Sequence, residues 1–187
     1  MKLAEKQYER NNLAFSIRTA EEKDAASLSN LRLQIDGETE NMDREKGEAF
    51  LDEAAFKKVI DEDTIANNSL FLVAETAGRL VGFSRCEGGA LKRTTHRAEF
   101  GICVLKEFWG CGIGTLLLKS TIEWADSIPL KKLSLSVLET NQKAISMYTK
   151  HGFEVEGILK NDKRLADGRF YSTIVMGRHH NIESKMI

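Results

Sequence analysis

Apolar residues recur at two different periods along the first part of the chain. The segment AFSIRTA, residues 14–20, alternates apolar and polar positions, which predicts a short strand. Residues 19–35 follow with apolar side chains at helical spacing, and Thr19 with Glu22 three positions on fits a capping box. The inward positions of this predicted helix are Ala25, Leu28, Leu31 and Ile35.

The remaining elements follow from the same patterns. Residues 49–60 have a second helical period, and Phe50, Ala54 and Val59 are expected to face the core. After this segment the period changes to two, with turn residues at Ala77-Gly78 that predict a hairpin. The later predictions are strands at residues 69–76, 79–87, 97–105, 132–139, 153–163 and 169–178, and helices at residues 112–127 and 141–152.

This order of elements predicts an α/β (α+β) fold. The order β-α-α-β-β-β-α-β-α-β-β predicts one mixed, mostly antiparallel central sheet with helices on both faces. No repeat, linker or low-complexity segment interrupts the pattern. We therefore expect a single domain over residues 1–187, with a polar extension at residues 1–13 and a tail at residues 179–187.

Composition narrows the class of partner and compartment. Hydrophobic residues make up 42% of the chain, charged residues 29%, and the net charge is −1. No overall field draws such a protein to nucleic acid or to a membrane surface. The three cysteines lack the spacing of metal ligands or of a disulfide framework. With no apolar core of a signal peptide near the amino terminus, we expect a cytoplasmic protein without a metal site.

A glycine-rich loop is the first sign of chemistry. The segment FWGCGIGTLLLKS places Gly110, Gly112 and Gly114 between a predicted strand and a predicted helix. Glycines allow backbone N–H groups to approach an anion, and a helix amino terminus adds unpaired donors. This predicts a phosphate or pyrophosphate site, although a glycine-rich turn at a corner fits the spacing equally well. The loop fits neither a Walker loop nor a dinucleotide fingerprint, since Thr115 and Leu116 follow Gly114.

A second motif gives the loop its context. The segment NQKAISMYTKHGF runs from Asn141 to Phe153. Here the sequence resembles the GCN5-related N-acetyltransferase (GNAT) superfamily, and in particular its bacterial single-domain members, with the motif Asn-x-x-Ala-x-x-hydrophobic-Tyr-x-Lys-x-Gly-Phe. The pyrophosphate loop of that family, Arg/Gln-x-x-Gly-x-Gly/Ala, matches at Gly112 and Gly114, while Trp109 stands at its first position.

The resemblance implies a GNAT-like acyl-CoA acyltransferase fold and an N-acetyltransferase. The acetyl group of acetyl-CoA would pass to a primary amine of a small molecule or protein amino terminus, by direct attack in a ternary complex. The implied strand before the loop, with Cys103 and Val104, splays from residues 132–139, and a backbone N–H near Val104 serves the carbonyl oxygen. The implied pyrophosphate loop consists of Trp109, Gly110, Cys111, Gly112, Ile113, Gly114 and Thr115.

Two side chains of the second motif also acquire roles from the resemblance. Tyr148 would protonate the leaving thiolate, and Asn141 would contact the cofactor arm. Both residues also fit purely structural roles, a core aromatic for Tyr148 and a helix cap for Asn141, and the sequence leaves these open. Cys103 and Cys111 fit the role of small hydrophobic residues better than that of acyl-transfer sites.

The general base is predicted from position alone. A primary amine has a pKa near ~10.4 and must lose a proton before it attacks. Glu99, on the strand that leads to the loop, is the first candidate, acting directly or through water; His96 is the second. A surface carboxylate and a loop imidazole fit these two residues equally well.

Three further expectations concern alternatives and partners. A CoA-binding regulator without catalysis, or a nucleotide-binding module, would also use the glycine loop; the second lacks a lysine after the loop. The acidic residues between 36 and 45 could attract a cationic amine or form a solvated loop. The apolar strand at residues 169–178 would favour unwanted pairing with other chains if it formed an uncovered edge of the sheet. We therefore expect a helix, or a second copy of the chain in a homodimer, to cover it.

Overall fold

The computed structural model describes residues 3–180 and confirms most of the predicted elements. The strands are β1 Lys6–Arg10, β2 Leu13–Thr19, β3 Leu70–Thr76, β4 Arg79–Gly88, β5 Arg97–Val104, β6 Lys132–Leu138, β7 Glu154–Arg164 and β8 Phe170–His179. The helices are α1 Ala25–Glu38, α2 Glu53–Ile65, α3 Ile113–Ser127 and α4 Gln142–Lys150. None of these helices has the length and apolarity needed to span a bilayer. Of the predicted tail, residues 181–187 lie outside the described residues.

A single eight-stranded sheet organises the molecule. Its strand order is β1-β2-β3-β4-β5-β6-β8-β7. Only the β5–β6 pair is parallel, and the other neighbours are antiparallel. The predicted mixed, mostly antiparallel sheet is therefore confirmed.

Helices cover both faces of this sheet, as predicted. Ser84 and Arg85 are neighbours on β4, and successive strand residues point to opposite faces. The Ser84 hydroxyl lies 3.4 Å from that of Thr121 on α3. Arg85 donates from Nε to Asp63 Oδ2 on α2 at 2.6 Å. Helices α2 and α3 consequently lie on opposite sides of the sheet.

The parallel pair β5–β6 is short, and this opens the sheet near its middle. The two strands pair only over Arg97–Lys132, Ala98–Leu133 and Glu99–Ser134. Beyond these pairs the strands separate, which confirms the splay that the resemblance implies. We call the unpaired region between residues 100–104 and residues 135–138 the gap.

Strand β1 is an element that the sequence patterns did not predict. It lies within the supposed polar extension and pairs antiparallel with β2 at the edge of the sheet. Asn11 and Asn12 connect the two strands with φ of 51° and 61°, a region that asparagine enters more readily than most residues. The Tyr8 ring stacks on Phe15 with centroids 5.6 Å apart. Of the predicted extension, residues 1–2 lie outside the described residues, and residues 3–13 contain a strand of the sheet.

The start of the first helix differs from the predicted cap. Thr19 ends β2, and its Oγ1 accepts a hydrogen bond from the Leu3 N–H at 2.8 Å. A short 3₁₀ turn precedes α1 instead, where the Glu21 N–H donates to Asp24 Oδ2 at 2.8 Å. The prediction of Thr19 as the cap was wrong, but the predicted apolar face is buried. Its members are Ala25, Leu28, Leu31 and Ile35.

The buried face of α2 was predicted wrongly for two of three positions. Phe50 is 55% exposed and lies before the helix, which begins after its capping residue Asp52. Ala54 is also exposed, and Val59 is half-buried. The side chains that reach the core are Phe56 and Ile60. The helical period was correct, but including residues before the true start shifted its phase.

The edge of the sheet is also not where the sequence suggested. The apolar strand β8 lies between β6 and β7, so strands of its own chain cover both of its sides. The expectation that a helix or partner must cover β8 was therefore wrong. Strand β7 forms the edge opposite to β1, and most of its residues are exposed.

Candidate active site

The last residues of β5 present backbone donors to the gap. The Leu105 N–H donates to the Val81 carbonyl on β4 at 3.0 Å. Because alternate strand residues orient their N–H groups to opposite sides, those of Val104 and Ile102 point away from β4. Strand β6 has already separated at this point. Two strand N–H groups thus face the gap, where the resemblance implies a donor near Val104.

Trp109 closes the turn after β5. Its indole N–H donates to the Val104 carbonyl at 2.8 Å, and the residue is 45% exposed. Its side chain therefore fixes the end of the strand. This is the position at which the family motif has Arg or Gln, so Trp109 brings no side-chain charge to the loop.

The glycine loop forms the amino terminus of α3. Gly110 and Gly112 have φ of 85° and 84°, in the left-handed region that favours glycine. Gly112 caps the helix, and its carbonyl accepts from the Leu116 N–H at 3.0 Å. By helix geometry, the N–H groups of Ile113, Gly114 and Thr115 have no partner within the helix. The loop presents a cluster of donors.

Gly114 brings this cluster against the gap. A Cβ at Gly114 would lie 3.6 Å from Ile102 Cδ1 and 3.9 Å from Val104 Cγ2. The Ile113 side chain is fully buried and anchors the turn. Residues 109–115 contain no acidic side chain. This donor set fits an anionic diphosphate, and the adjoining gap fits an extended arm that continues from it.

Tyr148 on α4 faces the same region. Its ring is buried and packs edge-on against Phe100 of β5, with centroids 6.4 Å apart, and against Phe153 at 5.7 Å. No described residue hydrogen-bonds its hydroxyl, which is not sealed from solvent. Burial raises the pKa of Tyr148 above its ordinary value, so the hydroxyl keeps its proton. The ring belongs to the core, but the hydroxyl remains available to donate.

Cys103 lies on the opposite face of β5 and is buried. Its Sγ is 3.5 Å from Met42 Sδ. Burial raises the pKa of the Cys103 thiol to about 12, so the thiolate needed for nucleophilic attack is scarce at neutral pH. Cys111, in the loop, is half-buried and packs against the core. These environments support the interpretation of both residues as small hydrophobic side chains.

Asn141 and Thr115 connect α4 with the loop. The Asn141 side chain accepts from the Ala144 N–H at 3.3 Å, so its predicted role as a helix cap is confirmed. Thr115 Oγ1 lies 3.6 Å from Met147 Sδ. This contact places the first turn of α3 beside α4 and brings the two sequence motifs together.

The two candidate bases lie at different distances from the gap. Glu99 is exposed and is the last residue of β5 that pairs with β6. It is three residues, or about 10 Å, from Ile102. His96 precedes β5, and its carbonyl accepts from the Lys131 N–H at 2.7 Å. It is six residues, or about 20 Å, from Ile102, so Glu99 lies nearer to the gap than His96.

The acidic residues between 36 and 45 are largely engaged within the chain. We call residues 39–52 the α1–α2 segment. Just before it, Glu38 Oε2 accepts from the Lys106 N–H at 2.8 Å. Within it, Glu40 Oε1 accepts from the Ala166 N–H at 2.7 Å, and Asp43 pairs with Lys163. Most residues of the segment are exposed, as a solvated loop requires, and these contacts connect it with the end of β5 and with the β7–β8 hairpin.

A group of charges around one buried carboxylate joins α1 to this segment. Asp36 is buried and accepts from Arg44 Nη2 at 2.9 Å, and Arg32 Nε lies 3.9 Å from Asp36. Arg32 also donates to the Ala49 carbonyl at 2.7 Å. Two guanidinium groups and one carboxylate leave one positive charge. Burial and the neighbouring Arg44 lower the pKa of Arg32, against the opposing effect of Asp36.

One further part of the site was missed from the sequence. The turn between β1 and β2 lies against the glycine loop, where Asn11 Nδ2 is 3.5 Å from the Gly110 carbonyl. The available signal was the Asn-Asn pair before an alternating strand, which is typical of a tight turn. Since the contact joins residues 99 positions apart, no local pattern could place it.

Comparison with known proteins agrees with this geometry. Residues 36–153 match the acetyltransferase (GNAT) family. The L-amino acid N-acetyltransferase AaaT of Escherichia coli is 33% identical over 57% of this chain and 66% of its own length. Spermidine N(1)-acetyltransferase of Escherichia coli is 40% identical over 36% of this chain and 37% of its own length. The chain thus spans less than two thirds of either relative.

Solved structures extend the likeness to nearly the whole chain. A GNAT-family acetyltransferase from Streptococcus pneumoniae is 30% identical with a TM-score of 0.85, covering 89% of this chain and 99% of that one. The structure of yncA from Salmonella typhimurium, with its cofactor acetyl-CoA, is 17% identical with a TM-score of 0.79, covering 89% and 94%. The Streptococcus pneumoniae protein is similar to this chain in sequence and fold, whereas yncA shows similarity of the fold alone. With its two motifs joined at one gap, the chain belongs to the acetyltransferase (GNAT) family.

Proposed function

We propose that the protein is an acetyl-CoA-dependent N-acetyltransferase that acts on a small-molecule primary amine by direct attack in a ternary complex. The observation that carries this proposal is the continuity of the site. Loop donors at residues 113–115 adjoin a gap bordered by the N–H groups of Ile102 and Val104, with the Tyr148 hydroxyl free to donate. The curated relatives are N-acetyltransferases, and the yncA structure holds acetyl-CoA, which supports the proposal.

Each part of this site has one task in the reaction. Acetyl-CoA, when bound, supplies an activated acetyl group with a thiol as the leaving group. The loop N–H groups bind its diphosphate, and Asn141 is proposed to contact its arm while it caps α4. The Val104 N–H donates to the carbonyl oxygen, where negative charge develops. The Tyr148 hydroxyl donates a proton to the departing sulfur.

The proposed base is Glu99, acting through water. It stands where β5 and β6 separate, at the entrance to the gap, and is exposed. Its distance of about 10 Å from Ile102 along the strand is too long for direct contact with both reacting groups. A chain of water molecules can carry the proton from the amine to this carboxylate.

The charges near the gap favour an acceptor that carries a carboxylate. The names of the two relatives suggest an amino acid or a polyamine. Of the acidic groups that could attract a polyamine, Asp36 and Asp43 are already paired with cations of this chain, and Glu40 accepts from the Ala166 N–H. Among the described residues Arg32 has no close carboxylate of its own, since Asp36 lies 3.9 Å away and is shared with Arg44, and a substrate carboxylate would compensate its charge. We propose an amino acid or a similar amine.

Acceptors that differ by one carboxylate test both the activity and this preference. In a thiol-release assay with acetyl-CoA, we expect kcat/KM for leucine to exceed that for 3-methylbutylamine, its decarboxylated form, by about 10–100-fold. A charge-assisted hydrogen bond of about 1.5–3 kcal/mol gives this ratio. Arg32→Gln should reduce the ratio towards one and keep the Arg44–Asp36 pair. Faster turnover of spermidine would contradict the carboxylate preference, and no thiol release with any amine would contradict the activity.

The exposed edge supports the proposal of a homodimer. Val155, Ile158 and Leu159 on β7 are 56%, 56% and 50% exposed, and Phe170 at the start of β8 is 61% exposed. Apolar side chains on an edge strand favour pairing with another chain. Light scattering should give twice the 21.0 kDa of one chain, and Ile158→Asp should return the mass to one chain. A mass of one chain for the unmodified protein at micromolar concentration would rule the dimer out.

A further inference from the structure

We propose that Arg10 binds the diphosphate of the cofactor and supplies the positive charge that the glycine loop lacks at position 109. This inference rests on the proposed use of acetyl-CoA. Arg10 ends β1, the strand that the sequence patterns did not predict. The family motif has Arg or Gln at the position of Trp109, whose indole is occupied with the Val104 carbonyl. A cation from another part of the chain would restore the missing charge.

Two contacts at its ends fix β1 alongside α3. Lys6 Nζ lies 3.0 Å from Glu123 Oε2 near the carboxyl end of the helix. Asn11 Nδ2 lies 3.5 Å from the Gly110 carbonyl, just before the helix begins. The strand from Lys6 to Arg10 is about 13 Å long, and the helical rise from residue 112 to residue 123 is about 16 Å. The two elements therefore run antiparallel, and the end of β1 reaches the amino terminus of α3.

The Arg10 side chain lies directly beside the loop. Its Cγ is 3.9 Å from the position of a Cβ at Gly112, and apart from the local backbone and chain neighbours it is the one described group within 4 Å of that position. Arg10 is exposed and has no ion pair among residues 3–180. The guanidinium extends three bonds beyond Cγ, so it can reach an anion held by the donors of Ile113 and Gly114. A planar, permanently charged group suits the bidentate binding of phosphate oxygens.

Anion binding explains the position of Arg10 better than simple solvation does. Residues 109–115 hold no carboxylate that could neutralise Arg10. The amino terminus of α3 is itself a region of positive potential, so the arginine stands where two like fields add. Folding alone gains nothing from this arrangement, whereas an anion bound between the two would be stabilised by both.

Calorimetry with three ligands tests the assignment. We expect Arg10→Gln to weaken the binding of acetyl-CoA by about 10-fold, the loss of one charged hydrogen bond in a solvated setting. Acetyl-dephospho-CoA, which retains the diphosphate, should show the same loss. Acetyl-pantetheine, which has no phosphate, should bind both proteins equally. Raising the salt concentration should narrow the difference between the two proteins, because the contact is electrostatic.

Two controls separate this contact from effects on folding or on total charge. Arg93→Gln removes an exposed arginine from the loop before the opposite end of β5 and should leave all affinities unchanged. Arg10→Lys should recover part of the lost affinity. Equal acetyl-CoA affinity for Arg10→Gln and the unmodified protein would overturn the inference, and a loss seen only with the 3′-phosphate present would move the contact off the diphosphate and overturn it too. If the unmodified protein does not bind acetyl-CoA, the proposed function itself is wrong. That result is distinct from a failure of the Arg10 assignment.

Discussion

Replacing Tyr148 by phenylalanine should lower turnover by roughly 10²–10⁴-fold, the range for a positioned acid. The lower end is expected, because a thiol with a pKa near ~8.5 is already a fair leaving group. The ring packs against Phe100 and Phe153 and is unchanged by the substitution. The hydroxyl has no hydrogen-bond partner among the described residues, so stability should change little. Affinity for acetyl-CoA should also stay nearly constant, since the proton moves only as the bond breaks.

The measurement is turnover and calorimetry on the same preparation, with Tyr171→Phe as the matched control. Tyr171 donates to Asp167 at 2.6 Å in the β7–β8 hairpin, and removing its hydroxyl should not change turnover.

Because the pKa of Tyr148 is raised, its hydroxyl should remain protonated at pH values above the ordinary pKa of tyrosine, and turnover should not fall near pH 10. Unchanged turnover of Tyr148→Phe, with acetyl transfer rate-limiting, would remove Tyr148 from the mechanism. A protein that binds acetyl-CoA but never turns over would be the regulatory alternative.

Replacing Gly112 by valine should weaken acetyl-CoA binding by about 10–100-fold. Gly112 has φ of 84° and caps α3. A β-branched side chain is strained in this conformation, at a cost of about 1–3 kcal/mol. The turn must shift to relieve the strain, and this moves the donors at residues 113–115. The loss of one or two charged hydrogen bonds gives the expected decrease in affinity, which calorimetry measures.

Gly78→Val separates strain from loss of binding. Gly78 has φ of 78° in the β3–β4 turn, and a Cβ there would meet nothing within 4 Å. The two variants should lose similar stability in thermal unfolding, but only Gly112→Val should lose affinity. If acetyl-CoA binds equally well to both, the loop does not hold the diphosphate.

The sequence predicted those parts of the site whose residues lie close together along the chain. The glycine loop and the segment from Asn141 to Phe153 each combine their residues within one turn or helix, so spacing alone located them. The positive φ at Gly110 and Gly112 and the cap at Asn141 confirm those local expectations. Pairing the two motifs in one site required the family resemblance.

The errors arose where a residue's environment depends on distant partners. Phe50 carries the right periodicity but precedes the helix, and only the cap at Asp52 sets the phase. Strand β8 lies inside the sheet because β7 pairs along its other side. The spacing of residues in the sequence does not show which strands pair. Strand β1 is short and mostly polar, and its pairing with β2 places it in the sheet. The position of Arg10 beside Gly112 follows from that pairing.

The short contact between β5 and β6 also has a consequence for how the molecule opens. Three residue pairs join a block of five strands, β1 to β5, to a block of three, β6 to β8. Proteins open in contiguous cooperative units, and the short β5–β6 pairing is the expected boundary between two of them. In hydrogen exchange, amides of β6 and β8 should therefore lose protection through an opening that leaves β3 and β4 intact. A ligand lying in the gap would touch both blocks and make the two openings coincide.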